Sequence, residues 1–378
     1  MKQTEFFGEG SITQLKQLLN DLGAKKIFLV TGKNSFEKSG AKAAMNDILN
    51  EMIVKRYDVI SECPDMEFIK AGINELRLSE CDSVVAVGGG NVIDTAKAVN
   101  FFSSQSITPE ECITSVSKFT EKGLPLVAIP TTSGSGSEAT HFAVVYSGNE
   151  KHSLAAKSIL PNAAIVDPEL TYSMSPYQTA VSGIDVFCQA IESAWATGSN
   201  DESRKYSRDS LSLVVKSLVS AVRQGSAESR RDMSLASNLA GKAINISKTT
   251  APHAVSYSMT RMFGIPHGQA VCITLGEFLK FNYGVDATDC NDSRGELHVK
   301  SSIEEIFKLT GSRNVNECVD KINSIISAAG LKTSLRDLGI DSAEKLELIA
   351  RSTNAERLSN NPRRITQEAL LEILKNVY

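Results

Sequence analysis

The chain has 378 residues, of which 42% are hydrophobic and 22% are charged, and its formal net charge is -4. This composition is ordinary for a globular protein, and one hydrophobic core rarely serves a chain of this length, so two domains are expected. Lysine and arginine form no basic stripe, and no apolar run could serve as a signal peptide or a membrane span, which predicts a cytoplasmic protein that binds neither nucleic acid nor membranes.

The first half of the chain alternates strand-like and helical patterns. Apolar, β-branched runs predict strands at residues 27–32, 53–60, 83–90 and 126–130, and amphipathic patterns predict helices at residues 39–52, 68–80 and 91–102. This alternation predicts a Rossmann-like parallel sheet that is covered by helices on both faces. The run AVVYSGNEKHSLAAK that follows predicts a β-hairpin with its turn at residues 147–149.

The second half of the chain has a different character, because strand-like runs nearly vanish after residue 172. Helical periodicity predicts helices at residues 176–197, 201–223, 226–247, 250–262, 302–309, 315–329, 343–353 and 366–377. We therefore predict an α/β domain over residues 1–173 and an all-helical domain over residues 174–378.

A glycine-rich turn lies between the third predicted strand and the helix after it. Gly88, Gly89 and Gly90 allow the backbone to approach a ligand closely, and the free N–H groups at the start of a helix favour a phosphate. The run GGGNxxD is not the dinucleotide fingerprint GxGxxG, so a tight turn without a ligand is the alternative.

A second turn of this kind, PTTSGSGSE, follows the next predicted strand. Its hydroxyl and N–H groups belong to the carboxyl edge of the same sheet, where ligands of open α/β sheets bind. A flexible linker is the alternative for such a run by itself. The two turns together predict a site for a nucleotide diphosphate.

The helical half contains a candidate metal site. Asp185 and Gln189 are four positions apart and would share one face of a helix, while His253 and His267 flank the break Gly-Ile-Pro that would let the chain fold back. A structural role is the alternative for either histidine alone. Two imidazoles and a carboxylate suit Fe²⁺ or Zn²⁺ acting as a Lewis acid on a substrate oxygen.

These motifs together resemble the iron-containing (group III) alcohol dehydrogenases over nearly the whole chain. The shared runs are VGGGNVID, PTTSGSGSE, IVDPEL, GIDVFCQAIES and PHAVSY…FGIPHG. The resemblance implies the dehydroquinate synthase-like fold, with a dinucleotide-binding α/β domain and a helical metal- and substrate-binding domain, and interconversion of alcohols and aldehydes. Because the family commonly forms dimers, it also implies a homodimer.

The resemblance assigns the four metal ligands to Asp185, Gln189, His253 and His267. Gln189 departs from the family, which has histidine there, and its amide oxygen is a weaker donor than imidazole, so we expect a metal that is held less tightly. Tyr257 stands where many members have a further histidine, which makes it the candidate proton relay.

The resemblance also assigns residues to the cofactor. It implies that Gly89, Gly90 and Asn91 hold the pyrophosphate, that Asp94 opens the next helix, and that Gly88, Thr131, Thr132, Ser135 and Lys151 also belong to the cofactor site. Gly32 stands where many members have an aspartate that binds the ribose of NAD(H). The missing negative charge, with Lys33 beside it, favours NADP(H) over NAD(H), and a solvated lysine is the alternative.

The substrate is predicted from the run KTT before His253. Lys248, Thr249 and Thr250 offer a cation and two hydroxyls, which suit the anionic headgroup of a small aldehyde, and an exposed loop lysine is the alternative. With Gln189, the run INISKTTAPHAVSY resembles the branch that reduces phosphonoacetaldehyde to 2-hydroxyethylphosphonate. The rival readings are a general short-chain alcohol dehydrogenase of the lactaldehyde or butanol type, a metal-dependent lyase, and a metal-free nucleotide-binding relative without catalysis.

Overall fold

A computed structural model describes residues 3–60, 64–114, 121–148 and 150–378 of the chain. The chain divides into two compact units, unit 1 from Met1 to Met174 and unit 2 from Ser175 to Tyr378. Among the described residues, no helix has both the length and the apolar character needed to cross a membrane.

Unit 1 is built on strands, as the sequence predicts. The strands are β1 (Thr4–Phe7), β2 (Lys26–Thr31), β3 (Ile53–Tyr57), β4 (Ser83–Gly88), β5 (Leu126–Pro130), β6 (Phe142–Ser147), β7 (Glu150–Ala155) and β8 (Ala163–Val166). Within the described part of the chain, six of them form one parallel sheet in the order β1-β8-β5-β4-β2-β3. Strands β6 and β7 form the predicted antiparallel hairpin, although Asn149 of its turn lies outside the described residues.

Two hydrophobic cores cover the two faces of the sheet. Alternate side chains of a strand point to opposite faces, so Val84 and Ala86 of β4 join one core and Val85 and Val87 join the other. The helices of unit 1 are α1 (Gln14–Asp21), α2 (Ser35–Lys38), α3 (Ala41–Ala44), α4 (Asn46–Glu51), α5 (Met66–Ser79), α6 (Gly90–Ser103) and α7 (Pro109–Thr114). Helices α5 and α6 pack in the first core and α1 in the second, which confirms the Rossmann-like prediction.

The structure differs from the sequence prediction at several places in unit 1, where α1, α2 and α7 are also unpredicted. The single helix predicted over residues 39–52 is two short helices, α3 and α4, which are separated at Met45, where φ is -94° and ψ is 5°. Gly40, with φ 82°, separates α3 from α2. The sequence prediction missed β1 and β8, which pair with each other at one side of the sheet. Each has only four residues, too few for a clear alternation of polar and apolar positions.

Unit 2 is helical, as predicted. Its helices are α8 (Pro176–Trp195), α9 (Asp201–Arg223), α10 (Ala227–Ser247), α11 (Ala251–Phe263), α12 (His267–Tyr283), α13 (Glu296–Thr310), α14 (Val315–Ala328), α15 (Ala343–Ser352) and α16 (Gln367–Asn376). The sequence prediction missed α12, whose side chains are buried over most of the helix. A helix that is buried on all sides lacks the polar stripe on which the periodicity argument depends.

Candidate functional site

The predicted carboxylate and histidines of unit 2 meet in the structure. Asp185 lies on α8, His253 in the first turn of α11, and His267 at the first position of α12. One ligand atom from each of the three lies within 4.8 Å of the others. The Nε2 atom of His253 is 3.3 Å from Oδ1 of Asp185, and the two imidazole rings are 5.3 Å apart.

Two glycines bring His267 to this position. Gly264 ends α11 in a left-handed conformation with φ 66°, and the chain then turns into α12. Gly268 follows His267 and lies so close to α8 that an added Cβ would be 2.0 Å from the carbonyl oxygen of Val181. The absence of a side chain at Gly268 therefore lets the start of α12 pack directly on the helix that carries Asp185.

A buried carboxylate that the sequence analysis missed fixes His253. The Nδ1 atom of His253 donates to Oε1 of Glu192 at 2.5 Å, because a carboxylate can only accept. The other oxygen of Glu192 accepts from the backbone N–H of Thr250 at 2.7 Å and from its hydroxyl at 3.0 Å. A proton held on Nδ1 leaves Nε2 as the ring nitrogen that can bind a metal, which is the tautomer that a metal ligand needs.

Glu192 follows Asp185 by seven residues, which is two helical turns. Asp185, Gln189 and Glu192 therefore lie on one face of α8, and this spacing is the signal that could have identified Glu192. The hydroxyl of Thr250, which the sequence analysis grouped with a substrate headgroup, accepts from Nε1 of Trp195 at 2.9 Å and donates to Glu192. The structure thus gives this hydroxyl a role in holding Glu192.

The charges around His253 set its protonation. Burial alone lowers the pKa of His253, but the charges and hydrogen bonds of Glu192 and Asp185 outweigh burial and raise the pKa well above its usual value. The electrostatic potential at this place therefore favours a positive charge between the two carboxylates.

The two polar atoms of the Gln189 side chain differ in their hydrogen bonding. Its amide nitrogen donates to Oδ2 of Asp185 at 3.0 Å, while its amide oxygen is buried and has no hydrogen-bond partner among the described residues. A buried acceptor without a donor indicates room for a ligand, either a cation or a polar group. The donors at this place, a carboxylate, two imidazoles and the amide oxygen, fit Fe²⁺ or Zn²⁺. That Gln189 ligates the ion stays a prediction.

Tyr257 lies beside the three ligands. It follows His253 by one helical turn, and its ring stacks on that of His267 with a centroid distance of 5.7 Å and an interplanar angle of 7°. The guanidinium carbon of Arg357 lies 4.8 Å from the centroid of the Tyr257 ring. The predicted proton relay is thus in contact with a predicted metal ligand.

The three residues from which the substrate site was predicted lie in the turn between α10 and α11. Lys248 is exposed and caps the C-terminus of α10 with φ 60° and ψ 178°. Thr249 is half-buried, and its carbonyl accepts from the side chain of Asn360 at 2.9 Å. Thr250 is the last residue of the turn, and its backbone N–H donates to Glu192.

In unit 1 the two predicted nucleotide turns pack against each other. Gly88 ends β4, and the neighbouring β5 ends at Pro130, directly before the second turn. A Cβ added to Gly89 would be 3.3 Å from the hydroxyl of Thr132, and one added to Gly90 would be 2.7 Å from that of Ser135. Glycine at these two positions therefore permits the close approach of the turns.

These turns lie where the strand order of the sheet reverses. From β2 the chain continues to β3 on one side, and from β4 it continues to β5 on the other. Ligands of open α/β sheets bind at this point, beyond the carboxyl ends of the strands. The predicted cofactor residues at this edge are Gly32 after β2, Gly88 at the end of β4, Gly89, Gly90 and Asn91 after β4, and Thr131, Thr132 and Ser135 after β5.

Asp94 and Lys97, one helical turn apart on α6, tie the helix to residues 137–144, which run from the end of the second turn into β6. One oxygen of Asp94 accepts from the hydroxyl of Ser137 at 2.5 Å, and the other accepts from the N–H of Val144 at 3.0 Å. The buried ammonium of Lys97 donates to the carbonyls of Thr140 and Phe142 at 2.8 and 3.0 Å. Burial raises the pKa of Asp94 and lowers that of Lys97 to about 8. Both side chains thus hold the loop in place.

The remaining predicted cofactor residue and one unpredicted cation lie on strands of different sheets. Lys151 belongs to β7 and pairs with Tyr146 across the hairpin. Arg56 of β3 donates from Nε to the hydroxyl of Thr31 at 2.9 Å and from its guanidinium to the carbonyl of Lys33 at 3.5 Å. No pattern in the sequence identifies Arg56 as a cofactor residue, because only the pairing of β3 with β2 brings it beside Gly32.

Both units match models of one known protein family. Residues 3–168 match the family model for "Iron-containing alcohol dehydrogenase", and residues 179–378 match that for "Fe-containing alcohol dehydrogenase family, C-terminal". A phosphonoacetaldehyde reductase from Streptomyces viridochromogenes is 30% identical over 81% of this chain and 78% of that protein. An NADPH-dependent butanol dehydrogenase from Clostridium saccharobutylicum is also 30% identical, over 99% of this chain and 96% of that protein.

A solved structure is similar over the whole chain. The sulfoacetaldehyde reductase from Bifidobacterium kashiwanohense, crystallised in complex with NAD⁺, superposes with a TM-score of 0.89 at 30% sequence identity. The alignment covers 99% of this chain and 96% of that one.

Proposed function

We propose that this chain, which belongs to the iron-containing alcohol dehydrogenase family and is an NAD(P)-dependent enzyme, reduces phosphonoacetaldehyde to 2-hydroxyethylphosphonate. The observation that carries the proposal is the exposed cation of Lys248 in the turn that Glu192 ties to the metal ligand His253. Two of its relatives act on phosphonoacetaldehyde and sulfoacetaldehyde, which are both two-carbon aldehydes with an anionic headgroup.

The residues of unit 2 hold the metal and orient its ligands. A divalent ion bound by Asp185, His253 and His267 supplies Lewis acidity, and a reduced nicotinamide supplies the hydride. Glu192 keeps the proton of His253 on Nδ1, so that Nε2 is available as a ligand. The amide of Gln189 donates to Asp185 and fixes the orientation of that carboxylate.

Reduction of an aldehyde consumes one proton in addition to the hydride, and we assign this proton to Tyr257. Its ring is stacked on the ring of His267, so its side chain lies beside a predicted metal ligand. A tyrosine can donate from its hydroxyl as a general acid, which is the role that the sequence resemblance gives to this position.

We propose NADPH rather than NADH as the physiological reductant. Gly32 carries no charge that would repel a 2′-phosphate, while Lys33 is exposed and Arg56 lies within hydrogen-bond distance of the residues on both sides of Gly32. In dinucleotide-binding folds, an arginine near this position accommodates the 2′-phosphate of NADP. The relation to an NADPH-dependent butanol dehydrogenase supports the same preference.

A panel of aldehydes tests the proposal. The oxidation of NADPH and of NADH is followed with phosphonoacetaldehyde, sulfoacetaldehyde, propanal and butanal, before and after treatment with a chelator. We expect the highest kcat/KM with NADPH and phosphonoacetaldehyde, and loss of activity on chelation. If butanal is the best substrate, the second candidate is favoured, which is a short-chain alcohol dehydrogenase of the butanol type. The similarity to the butanol dehydrogenase supports this candidate.

The variants Lys248→Ala and Arg56→Ala test the roles proposed for these two cations, in binding the aldehyde headgroup and the 2′-phosphate of NADPH. Lys248→Ala should raise KM for phosphonoacetaldehyde by about 10- to 100-fold, the value of a charge-assisted hydrogen bond, and leave KM for propanal unchanged. Arg56→Ala should lower the preference for NADPH over NADH without changing either aldehyde KM. Assembly as a homodimer and a cytoplasmic location stay predictions, and light scattering after size-exclusion chromatography measures the first.

A further inference from the structure

Lys248 has a backbone conformation that is strained for a residue with a side chain. Among the described residues, only Glu80 and Lys248 combine a positive φ with a residue other than glycine. Glu80, at φ 52° and ψ 32°, lies in the left-handed helical region. Lys248, at φ 60° and ψ 178°, lies in a region that is essentially reserved for glycine.

One side chain brackets this residue on both sides. The amide nitrogen of Asn360 donates to the carbonyl of Ser247 at 2.8 Å and to the carbonyl of Thr249 at 2.9 Å. The amide oxygen of Asn360 accepts from the hydroxyl of Thr197 at 2.9 Å and from the N–H of Gly198 at 3.0 Å. Asn360 therefore clamps the turn to the segment that follows α8.

Further hydrogen bonds restrain the backbone of the turn. The N–H of Lys248 donates to the carbonyl of Ile244 at 2.8 Å, and its carbonyl accepts from the hydroxyl of Ser247 at 2.9 Å. The N–H of Thr250 donates to Glu192, which also holds His253. A strained conformation persists only where its surroundings impose it, and such residues cluster at ligand-binding sites.

We propose that Asn360 is a specificity-determining residue, which acts by holding Lys248 in this conformation and thereby fixes the ammonium for the anionic headgroup of the aldehyde. This inference rests on the proposed function. The turn joins Lys248 through Thr250 and Glu192 to His253, so the cation and the metal ligand are held by one continuous set of hydrogen bonds. A glycine would relieve the strain but would carry no charge.

Kinetics of a double-mutant cycle test the role in specificity. Asn360→Asp keeps an acceptor for Thr197 and Gly198 but cannot donate to the two carbonyls, and Asn360→Ala is the second variant. Both should raise KM for phosphonoacetaldehyde by about tenfold and change kcat and KM for propanal by less than about twofold. In the Lys248→Ala background, neither should raise KM further, because the positioned ammonium is already absent.

The control is Asn376→Ala, which removes an exposed hydrogen bond to Glu277 and should leave all these constants unchanged. Equal losses for both aldehydes in the Asn360 variants, or effects that multiply with those of Lys248→Ala, would overturn the inference. If wild type shows no preference for the anionic aldehyde and Lys248→Ala has no effect, the proposed function itself fails, and the role in specificity fails with it.

A stability measurement tests the clamp without any substrate. Lys248→Gly and Lys248→Ala both lack the ammonium, but only glycine accepts the imposed conformation without strain. The glycine variant should therefore melt higher by about 3 °C, and this difference should vanish in the Asn360→Ala background, where the turn can relax. Equal melting temperatures for the two variants in the wild-type background would refute the clamp.

Discussion

The hydrogen bond between Glu192 and His253 makes a quantitative prediction about metal affinity. Glu192 uses one oxygen for His253 at 2.5 Å and the other for the N–H of Thr250 at 2.7 Å. Glu192→Gln can keep only one of these two bonds. If the amide oxygen of the new glutamine faces His253, its NH₂ group faces the N–H of Thr250, and two donors then oppose each other. If the amide is turned round, its NH₂ group donates to Nδ1 of His253, and the proton of His253 must move to Nε2.

Either orientation weakens the site, because the first loosens the turn and the second protonates the nitrogen that the metal needs. Loss of one such supporting bond typically costs about 10- to 100-fold in metal affinity, or about 1.4–2.7 kcal/mol. We therefore expect the dissociation constant for Zn²⁺ to rise by about that factor in Glu192→Gln.

The assay uses a tryptophan that the chain provides. Trp195 is the only tryptophan, is buried, and donates to the hydroxyl of Thr250 at 2.9 Å, so its fluorescence should respond to events at Glu192. Metal-free protein is titrated with Zn²⁺ and followed by this fluorescence and by calorimetry. The exposed Glu372→Gln on α16 is the matched control. A dissociation constant for Glu192→Gln within about threefold of the control, in protein with an unchanged circular dichroism spectrum, would refute the reasoning.

Three further predictions concern other parts of the molecule. Burial lowers the pKa of Lys97 from 10.5 to about 8, so the native state binds fewer protons than the unfolded state between these pH values, and stability should rise with pH across this window. The rise is at most about 3 kcal/mol, and urea unfolding should detect it in wild type but not in Lys97→Met; a constant difference between the two proteins would contradict it. Gly268→Ala should destabilise unit 2 by about 1–3 kcal/mol and lower the metal content of the folded protein, since its Cβ would meet the carbonyl of Val181 at 2.0 Å; full metal content would count against this packing argument. Dialysis against a chelator should abolish aldehyde reduction and leave NADPH binding intact, and recovery with Fe²⁺ or Zn²⁺, followed as activity and as metal content, would separate metal loss from unfolding.

Much of the fold follows from local sequence patterns. Runs of β-branched residues and amphipathic helical spacing predict the parallel sheet of unit 1 and the helices of unit 2, since both depend on neighbours within a few positions. The prediction fails where this local signal is weak. The helix α12 is buried on all sides, and β1 and β8 have four residues each.

The sequence also identifies which residue types are candidates for chemistry. Asp185, His253 and His267 were predicted as metal ligands from their chemistry and spacing, and the structure brings their ligand atoms within 4.8 Å of one another. The glycines of the two nucleotide turns were predicted from their position after strands, and the sheet order puts those turns at one edge.

Only the tertiary structure determines which side chains support these candidates. Glu192 reaches His253 across 61 positions, Asn360 brackets Lys248 from more than 100 positions away, and Arg56 meets Thr31 through the register of two strands. Such contacts depend on how helices and strands pack, and no periodicity of the chain encodes them. The strained conformation of Lys248 has the same origin, because hydrogen bonds from distant residues impose a backbone geometry that the lysine would not adopt by itself.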